Sequence, residues 1–553
     1  MQDMAGSYTV GDLVAEFLSA IGVRTAFGIA SVHNIPMLDA IGRRNAIRFV
    51  MARGELGGAH MADGYARASA GLGVIFSSTG PGAANAIGGL IEARFASSPV
   101  LHITGQTATR FVDRGLATVH DANDQLGMMA SVSKAAYRVR AATQALGVLT
   151  RAATEALTPP MGPVSVEIPI DLQRVEIPRP AMLDGFALPV PAPRAPSPAE
   201  LDELAARVRA ARRPLLWLGA GARHAGPAVK RLLDMGFTMV NSLQGRGIVA
   251  EDDPRSLGGL HGGGLPMVTD FYRTVDLMLV AGARLRGHET NDFALKLPEN
   301  IVQIDVDPMA NGRTYPNRYF VCADAALTLA GLADRLGGYS AEPGYQGEFA
   351  AMKSRARTEF LASLGAYGSF ADQLAKVLPQ DAIFARDVTQ NNTTWGNRVF
   401  PLHDPRQNVY PVGAGIGQGL SLGIGAAAAA NGRRTVMMTG DGGFFLNLGE
   451  LWTAVQEKLD LAVVVMNDRG YGVIKRIQDA TAQGRRFYAD LQGPDLAGLA
   501  ALAGMPFFKV TQADAFGPTI ARALEHRGPS LTEVDMTAVG EFPAYYPFNQ
   551  LRG

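Results

Sequence analysis

Residues 434–477 read RTVMMTGDGGFFLNLGELWTAVQEKLDLAVVVMNDRGYGVIKRI. The run TVMMT is apolar enough for a buried strand. Gly440-Asp441-Gly442-Gly443 stands at its carboxyl end, where open parallel sheets bind ligands. Successive glycines let backbone N–H groups converge on an anion, and a helix expected over about 447–458 would turn its positive end there. Asp441 in such a nest repels a phosphate unless a divalent cation bridges its carboxylate to diphosphate oxygens. Mg²⁺ takes oxygen donors and commonly keeps phosphates among them. A second apolar run, LAVVVM, ends at Asn467-Asp468-Arg469-Gly470, so two neighbouring strands deliver Asp441 and Asp468 to one sheet edge. Either aspartate alone reads equally well as a turn residue. The pair, after two strands with one helix between them, reads as a metal–diphosphate site.

Outward from this stretch the same alternation recurs. Three segments, 1–177, 199–337 and 358–553, are separated by a proline-rich linker at 178–198 and an irregular stretch at 338–357. Short apolar runs punctuate amphipathic helical stretches in each. They are TAFGI, GVIFSS, PVLHITG and PVSVEIPI in the first segment. The second has PLLWLGAG, TMVNS, DLMLVAG and NIVQIDVDP; the third has AIFARDV, RTVMMTGDGG, LAVVVMNDRG and SLTEVDM. Buried parallel strands joined by crossover helices produce this pattern, so three doubly wound α/β domains are expected. The similar size of the first and third hints at an old duplication.

Composition narrows the function. The chain has 553 residues, 47% apolar and 18% charged, which excludes a disordered chain. Fifty-one basic residues against 51 acidic ones argue against a nucleic-acid partner. The single cysteine, Cys322, excludes a disulfide framework and fits a reducing, cytoplasmic compartment. No apolar run approaches the roughly 20 residues of a membrane span. The start, MQDMAGSYTVGD, lacks the basic and apolar regions of a secretory signal.

GDG followed some way on by an Asn-containing turn, with Asp468 27 residues after Asp441, resembles the signature of thiamine diphosphate enzymes. The domain order resembles the acetohydroxyacid synthase, pyruvate decarboxylase and benzaldehyde lyase group over nearly the whole chain: pyrimidine-binding, central, diphosphate-binding. This resemblance implies thiamine diphosphate and Mg²⁺, the metal held by Asp441, Asp468 and the carbonyl of Gly470. Asp468 stands where the family usually has a second Asn. RGELGGAHMADGYARAS, 53–69, resembles the family's glutamate helix, in which Glu55 would hydrogen-bond N1′ of the aminopyrimidine and switch on the cofactor's own base. The plainer reading is a helix-start acid facing the dipole. YPVGAGIGQGLSLGIGAAAAA, 410–430, resembles the segment that bends the cofactor. Ile416 would sit between the two rings, and the Ala414 carbonyl would accept from the 4′-amino group. The resemblance also implies cofactor contacts at Gly415, Gly440, Gly442, Gly443, Tyr471, Gly472 and Val473, and at Gly80 within STGPGAANAIGGLIEA. Gln390 and Asn391 in RDVTQNNTTW are expected to add diphosphate or substrate contacts.

The substrate side departs from acetohydroxyacid synthase. The family's Phe-Gln pair becomes His120-Asp121, its lysine Ile170, its tryptophan Ile477 and its arginine His288. These changes remove the groups that recognise a second carboxylate, and imidazole does not replace a bidentate guanidinium. His33 and His120 resemble the benzaldehyde lyase arrangement and would shuttle the product hydroxyl proton. Buried histidines satisfying backbone are the bland alternative. The expected activity is 2-oxo acid decarboxylation with carboligation onto a small-molecule aldehyde or ketone. Cleavage of a 2-hydroxyketone or diketone without decarboxylation is one alternative, and an inactive cofactor-binding scaffold is another. The family builds its sites between subunits, which implies a homodimer or homotetramer. FAD stays open on LGAGAR, LHGGGLP, AGARLRGHET and QIDVDP, and the aromatic tail EFPAYYPFNQLRG would suit a lid.

Overall fold

A computed structural model describes residues 7–261 and 265–543, so most of the aromatic tail lies outside the described residues. Three all-parallel sheets follow one another along the chain, each flanked by helices. The first holds β1 (Thr25–Gly28), β2 (Arg48–Met51), β3 (Gly73–Ser77), β4 (Val100–Gln106), β5 (Ala135–Arg138) and β6 (Val164–Pro169), in the order β2-β1-β3-β4-β6-β5. The central sheet holds β7 (Pro214–Leu218), β8 (Thr238–Asn241), β9 (Leu277–Ala281), β10 (Ile301–Asp305) and β11 (Tyr319–Cys322), in the order β11-β10-β9-β7-β8. The third holds β12 (Ile383–Arg386), β13 (Asn408–Val409), β14 (Thr435–Gly440), β15 (Leu461–Asn467), β16 (Phe507–Val510) and β17 (Ser530–Asp535), in the order β13-β12-β14-β15-β17-β16. Counted from its own first strand, each outer sheet runs 2-1-3-4-6-5. The duplication suggested by length thus has a topological counterpart.

The apolar runs all became strands, and the strands they did not announce are edges. β2, β5, β11, β13 and β16 each lie at the rim of a sheet. An edge strand buries one flank or one face, so it lacks a continuous apolar run. β2 and β5 show this directly, since β2 buries only Val50 fully and all four residues of β5 are half-buried. Two further expectations change. The stretch 338–357 is largely helical, because Tyr345, Phe349, Met352, Ala356 and Phe360 form one buried stripe of the helix Tyr345–Ala362. The helix expected near 447–458 starts earlier: Asp441 itself opens the turn Asp441–Leu446, with the extended Gly440 as its cap. The path breaks at Asn447 and resumes as Leu448–Glu450 and Leu451–Gln456.

The outer domains meet through two glycine-rich helices, Glu55–Ser69 and Gly419–Ala428. A Cβ at Gly425 would stand 1.9 Å from the Met61 carbonyl oxygen, and one at Gly64 would stand 2.2 Å from that of Leu422. Backbones this close need glycine, and the Glu55 helix is consequently buried on nearly all sides.

Candidate active site

A doubly wound sheet opens a crevice where the strand order reverses, since the crossovers leave to opposite faces there. In the third domain this point lies between β12 and β14. Asp387 follows β12, and the Gly440–Gly443 turn follows β14. A cavity of about 470 Å³ lies here. Its walls include Gln390, Asn391, Ala414, Ile416, Gly440, Gly442, Gly443, Asp468, Gly470, Tyr471, Gly472 and Val473. The sequence had singled out every one of these.

Asp441 and Asp468 face each other at the ends of β14 and β15, which pair in parallel up to Gly440 against Met466. Asp441 is buried; its Oδ2 accepts from Gly470 N at 2.8 Å, and its Oδ1 has no hydrogen-bond partner among the described residues. Burial first, and then the charge of Asp441, push the Asp468 carboxyl up to about 7; burial raises Asp441 as well. Two carboxylates that repel each other around an unpartnered oxygen fit a hard divalent cation. Among the described residues no group of three or more His, Cys, Asp or Glu gathers for a metal, so a further protein donor here has to come from elsewhere, such as the main chain. Gly470 and Gly472 are forced by space. A Cβ at 470 would lie 2.2 Å from the Ala489 oxygen, and one at 472 would lie 1.8 Å from Asp468 Oδ2.

The neighbouring loop carries Ala414, in the left-handed region at φ +62°, and Ile416, which is 42% exposed toward the cleft. Two buried acids that the sequence reading passed over hold it. Asp387 accepts from Gly417 N and Gly419 N at 3.0 Å and from Val388 N at 2.7 Å. Glu92, from the first domain, accepts from Val412 N at 2.6 Å and Gly413 N at 2.9 Å. The signal for Asp387 was available, since it follows a strand as Asp441 does. Glu92 sits mid-helix and gave none. Gly415 packs on Gln418, where a Cβ would meet Nε2 at 2.3 Å. Gln390 donates to the Gly472 carbonyl at 3.0 Å, while Asn391 Oδ1 accepts from Trp395 Nε1 at 2.7 Å. Ile477 and His288 also line the cleft, together with Arg398, which the sequence reading did not name.

A second cluster forms at the matching reversal of the first sheet, between β1 and β3. Glu55 is buried at the first position of its helix and accepts from Asn85 Nδ2 at 3.3 Å. Gly82 leaves room for it, as a Cβ there would stand 2.5 Å from Glu55 Oε1. Gly80, at φ +55°, donates its N–H to Gln125 Oε1 at 2.6 Å and passes under the His120 carbonyl, 2.1 Å from where a Cβ would sit. The His33 and His120 Nδ1 atoms are 3.4 Å apart, and burial first, then His120, lowers the pKa of His33. Ile170 opens the short helix Ile170–Gln173 after β6, whose Gln173 donates to the His33 carbonyl at 2.7 Å. None of Glu55, His33, His120 or Gly80 lines the 470 Å³ cleft.

The central sheet reverses between β7 and β9, and a smaller cavity of about 150 Å³ opens there. Arg223, Arg284, Arg286 and Asp305 line it, drawn from three of the four runs that left FAD open. The fourth, LHGGGLP, includes residues 262–264, which lie outside the described residues.

Three domain descriptions of one enzyme family match the chain in order. They are the N-terminal TPP binding domain over residues 8–128, the central domain over 201–332 and the C-terminal TPP binding domain over 387–534 of thiamine pyrophosphate enzymes. The chain belongs to the thiamine pyrophosphate enzyme family. Thiamine pyrophosphate (the same compound as thiamine diphosphate) is therefore its cofactor, and the two TPP-binding descriptions cover the two clusters described above. Among curated relatives of this thiamine pyrophosphate enzyme, a probable 2-ketoarginine decarboxylase, AruI, of Pseudomonas aeruginosa is 31% identical over 84% of this chain and 83% of its own length. A probable chloroplastic acetolactate synthase 2 of rice, Oryza sativa subsp. japonica, is 29% identical over 95% and 82%. The large subunit of acetolactate synthase isozyme 1 of Escherichia coli is 29% identical over 85% and 84%.

Proposed function

We propose that this thiamine pyrophosphate enzyme decarboxylates a 2-oxo acid and transfers the acyl unit to a proton or to an aldehyde or ketone acceptor, in sites shared between two copies of the chain. The facing carboxylates Asp441 and Asp468, with Asp441 Oδ1 unpartnered among the described residues, carry the reading. In it, Asp441, Asp468 and the Gly470 carbonyl would hold Mg²⁺ and with it the diphosphate, and Ile416 would hold the cofactor's rings. Glu55 hydrogen-bonds the aminopyrimidine, and His33 and His120 move the proton of the product hydroxyl. When bound, the cofactor supplies a nucleophilic carbon and an electron sink. The names of the decarboxylase and synthase relatives support a 2-oxo acid as substrate.

Sharing of the site is supported by the separation of the Glu55 cluster from the Asp441 cleft within one chain. Exposed apolar side chains mark both halves: Val32, Ile35, Leu116 and Val119 near the histidines, and Ile416, Leu446 and Ile474 near the cleft. A homodimer or homotetramer belongs to this reading. So does FAD in the arginine-lined central crevice, for which flavin absorbance of the purified protein is the test. A cytoplasmic location is likewise part of the proposal; among the described residues no helix is long and apolar enough to cross a membrane.

Purified protein given thiamine diphosphate, Mg²⁺ and a panel of 2-oxo acids, with and without benzaldehyde, should release CO₂. Cleavage of 2-hydroxyketones without CO₂ would replace this reading with the lyase alternative. Cofactor binding with no turnover on either substrate class would replace it with the scaffold.

A further inference from the structure

We propose that Glu450 is the residue that positions Glu55, by clamping the backbone just before it from the opposite domain. The inference rests on the role given to Glu55 above.

The start of a helix leaves N–H groups without intrahelical partners, and a side chain at the cap normally satisfies them. The Glu55–Ser69 helix has Gly54 at that position, which has no side chain to offer. A common supplement is a glutamate at the third helical residue, reaching back to the N–H of the cap. That position is Gly57. The missing carboxylate comes from Glu450, at the end of the turn Leu448–Glu450 in the third domain. It is buried and accepts from Gly54 N at 3.1 Å and from Arg53 N at 3.0 and 3.1 Å through its two oxygens. Thr453 Oγ1 donates to it at 2.7 Å and fixes its orientation.

Gly57 explains why the exchange works. A Cβ at 57 would stand 2.0 Å from Glu450 Oε1, so only glycine at the position of a local capping glutamate admits the remote one. The clamp extends on both sides: Arg53 donates to Gln456 Oε1 at 2.8 Å, and Arg48 pairs with Glu457 at 2.6 Å. Among the described residues the Glu55 carboxylate has one long hydrogen bond, from Asn85 at 3.3 Å, so its placement depends on the backbone behind it. Groups that act on a reacting centre must be held to within about 0.5 Å, which a flexible glycine cap does not achieve alone. Asp441 and Glu450 lie on one short run of turns, so the segment that reaches the metal site at its front clamps the Glu55 backbone at its rear.

The test compares Glu450→Gln, Gly57→Ala and, as reference, Glu55→Gln in the full-length protein. In the cofactor-free protein, amide hydrogen exchange at Arg53–Glu55 should speed up about tenfold in the first two variants, the factor carried by one hydrogen bond to a charged group. With saturating thiamine diphosphate and Mg²⁺, deuterium exchange at C2 of the bound cofactor should fall at least about tenfold, while cofactor affinity changes by less than about threefold. Gly57→Ala acts from the other side of the contact, so the proposal does not depend on how Glu450→Gln folds. Moving the carboxylate to the local position, in Gly57→Glu combined with Glu450→Ala, should restore C2 exchange. Normal C2 exchange in both single variants, with Glu55→Gln abolishing it, overturns the proposal. Normal exchange in Glu55→Gln removes the role of Glu55, and the positioning proposal falls with it.

Discussion

Asp468 faces Asp441 across a buried space, and replacing it by Asn has a calculable consequence. In the cofactor-free protein two carboxyls share a buried space, and Asp468 is pushed up to about 7 from an ordinary value of 3.8. Below pH 7 the pair therefore retains a proton. A divalent ion needs both carboxylates ionised, so it must displace that proton. One displaced proton makes affinity rise tenfold per pH unit below the raised pKa and level off above it. Between pH 5.5 and 7 the wild type should gain about 15-fold in affinity from this pair alone, since the group is half ionised at pH 7. Asp468→Asn removes the second acid and with it this component of the slope. The linkage also runs through stability. A carboxyl raised in the folded state binds its proton more tightly there than when unfolded, so folding stability declines as pH rises from about 4 to 7 and stays low above. The cofactor-free variant should gain on the order of 2–4 kcal/mol at pH 8, since each tenfold difference in proton affinity between the folded and unfolded chain is worth about 1.4 kcal/mol. Titration calorimetry of Mg²⁺–thiamine diphosphate binding in two buffers of different ionisation enthalpy counts the protons released. The diphosphate and aminopyrimidine titrate equally in both proteins, so the difference between them isolates the pair. Equal proton release by the two proteins at pH 6, with no gain in stability at pH 8, would refute the argument.

Further outcomes follow from the same geometry. Glu55→Gln should lower turnover by about 100-fold or more, the range of a general acid–base contribution, with cofactor affinity nearly kept; steady-state kinetics with a calorimetric Kd checks both. Asp387→Ala leaves Gly417 and Gly419 without their acceptor. It should cost about 3 kcal/mol of stability and weaken cofactor binding, measured by denaturant titration and calorimetry. Gly425→Ala drives a Cβ into the Met61 carbonyl and should destabilise the junction of the outer domains by about 2–4 kcal/mol, read as a fall in Tm.

The facing pair Asp441 and Asp468, the Ile416 loop and the helix start at Glu55 were legible because each is local. A strand end, a glycine and an acid lie within a few residues, and parallel sheets bring strand ends together without long-range detail. Glu92 and Glu450 were not legible, and for Asp387 only its place after a strand was, not its backbone partners. Each accepts from backbone N–H groups far along the chain or in another domain, and no sequence spacing encodes such a contact.

Read one residue after another, then, the chain specifies three parallel α/β domains, the strands at the heart of each sheet, and the acids and glycines that gather at their ends. Burial on both faces forces an uninterrupted apolar run, and that run is visible without coordinates. Rim strands such as β2 and β5 and the helical nature of 345–362 emerged from packing alone. So did the clamp of one domain's carboxylate on another domain's helix. These features arise from which surfaces meet, and the energy of such a meeting is shared between segments that carry no mark of one another.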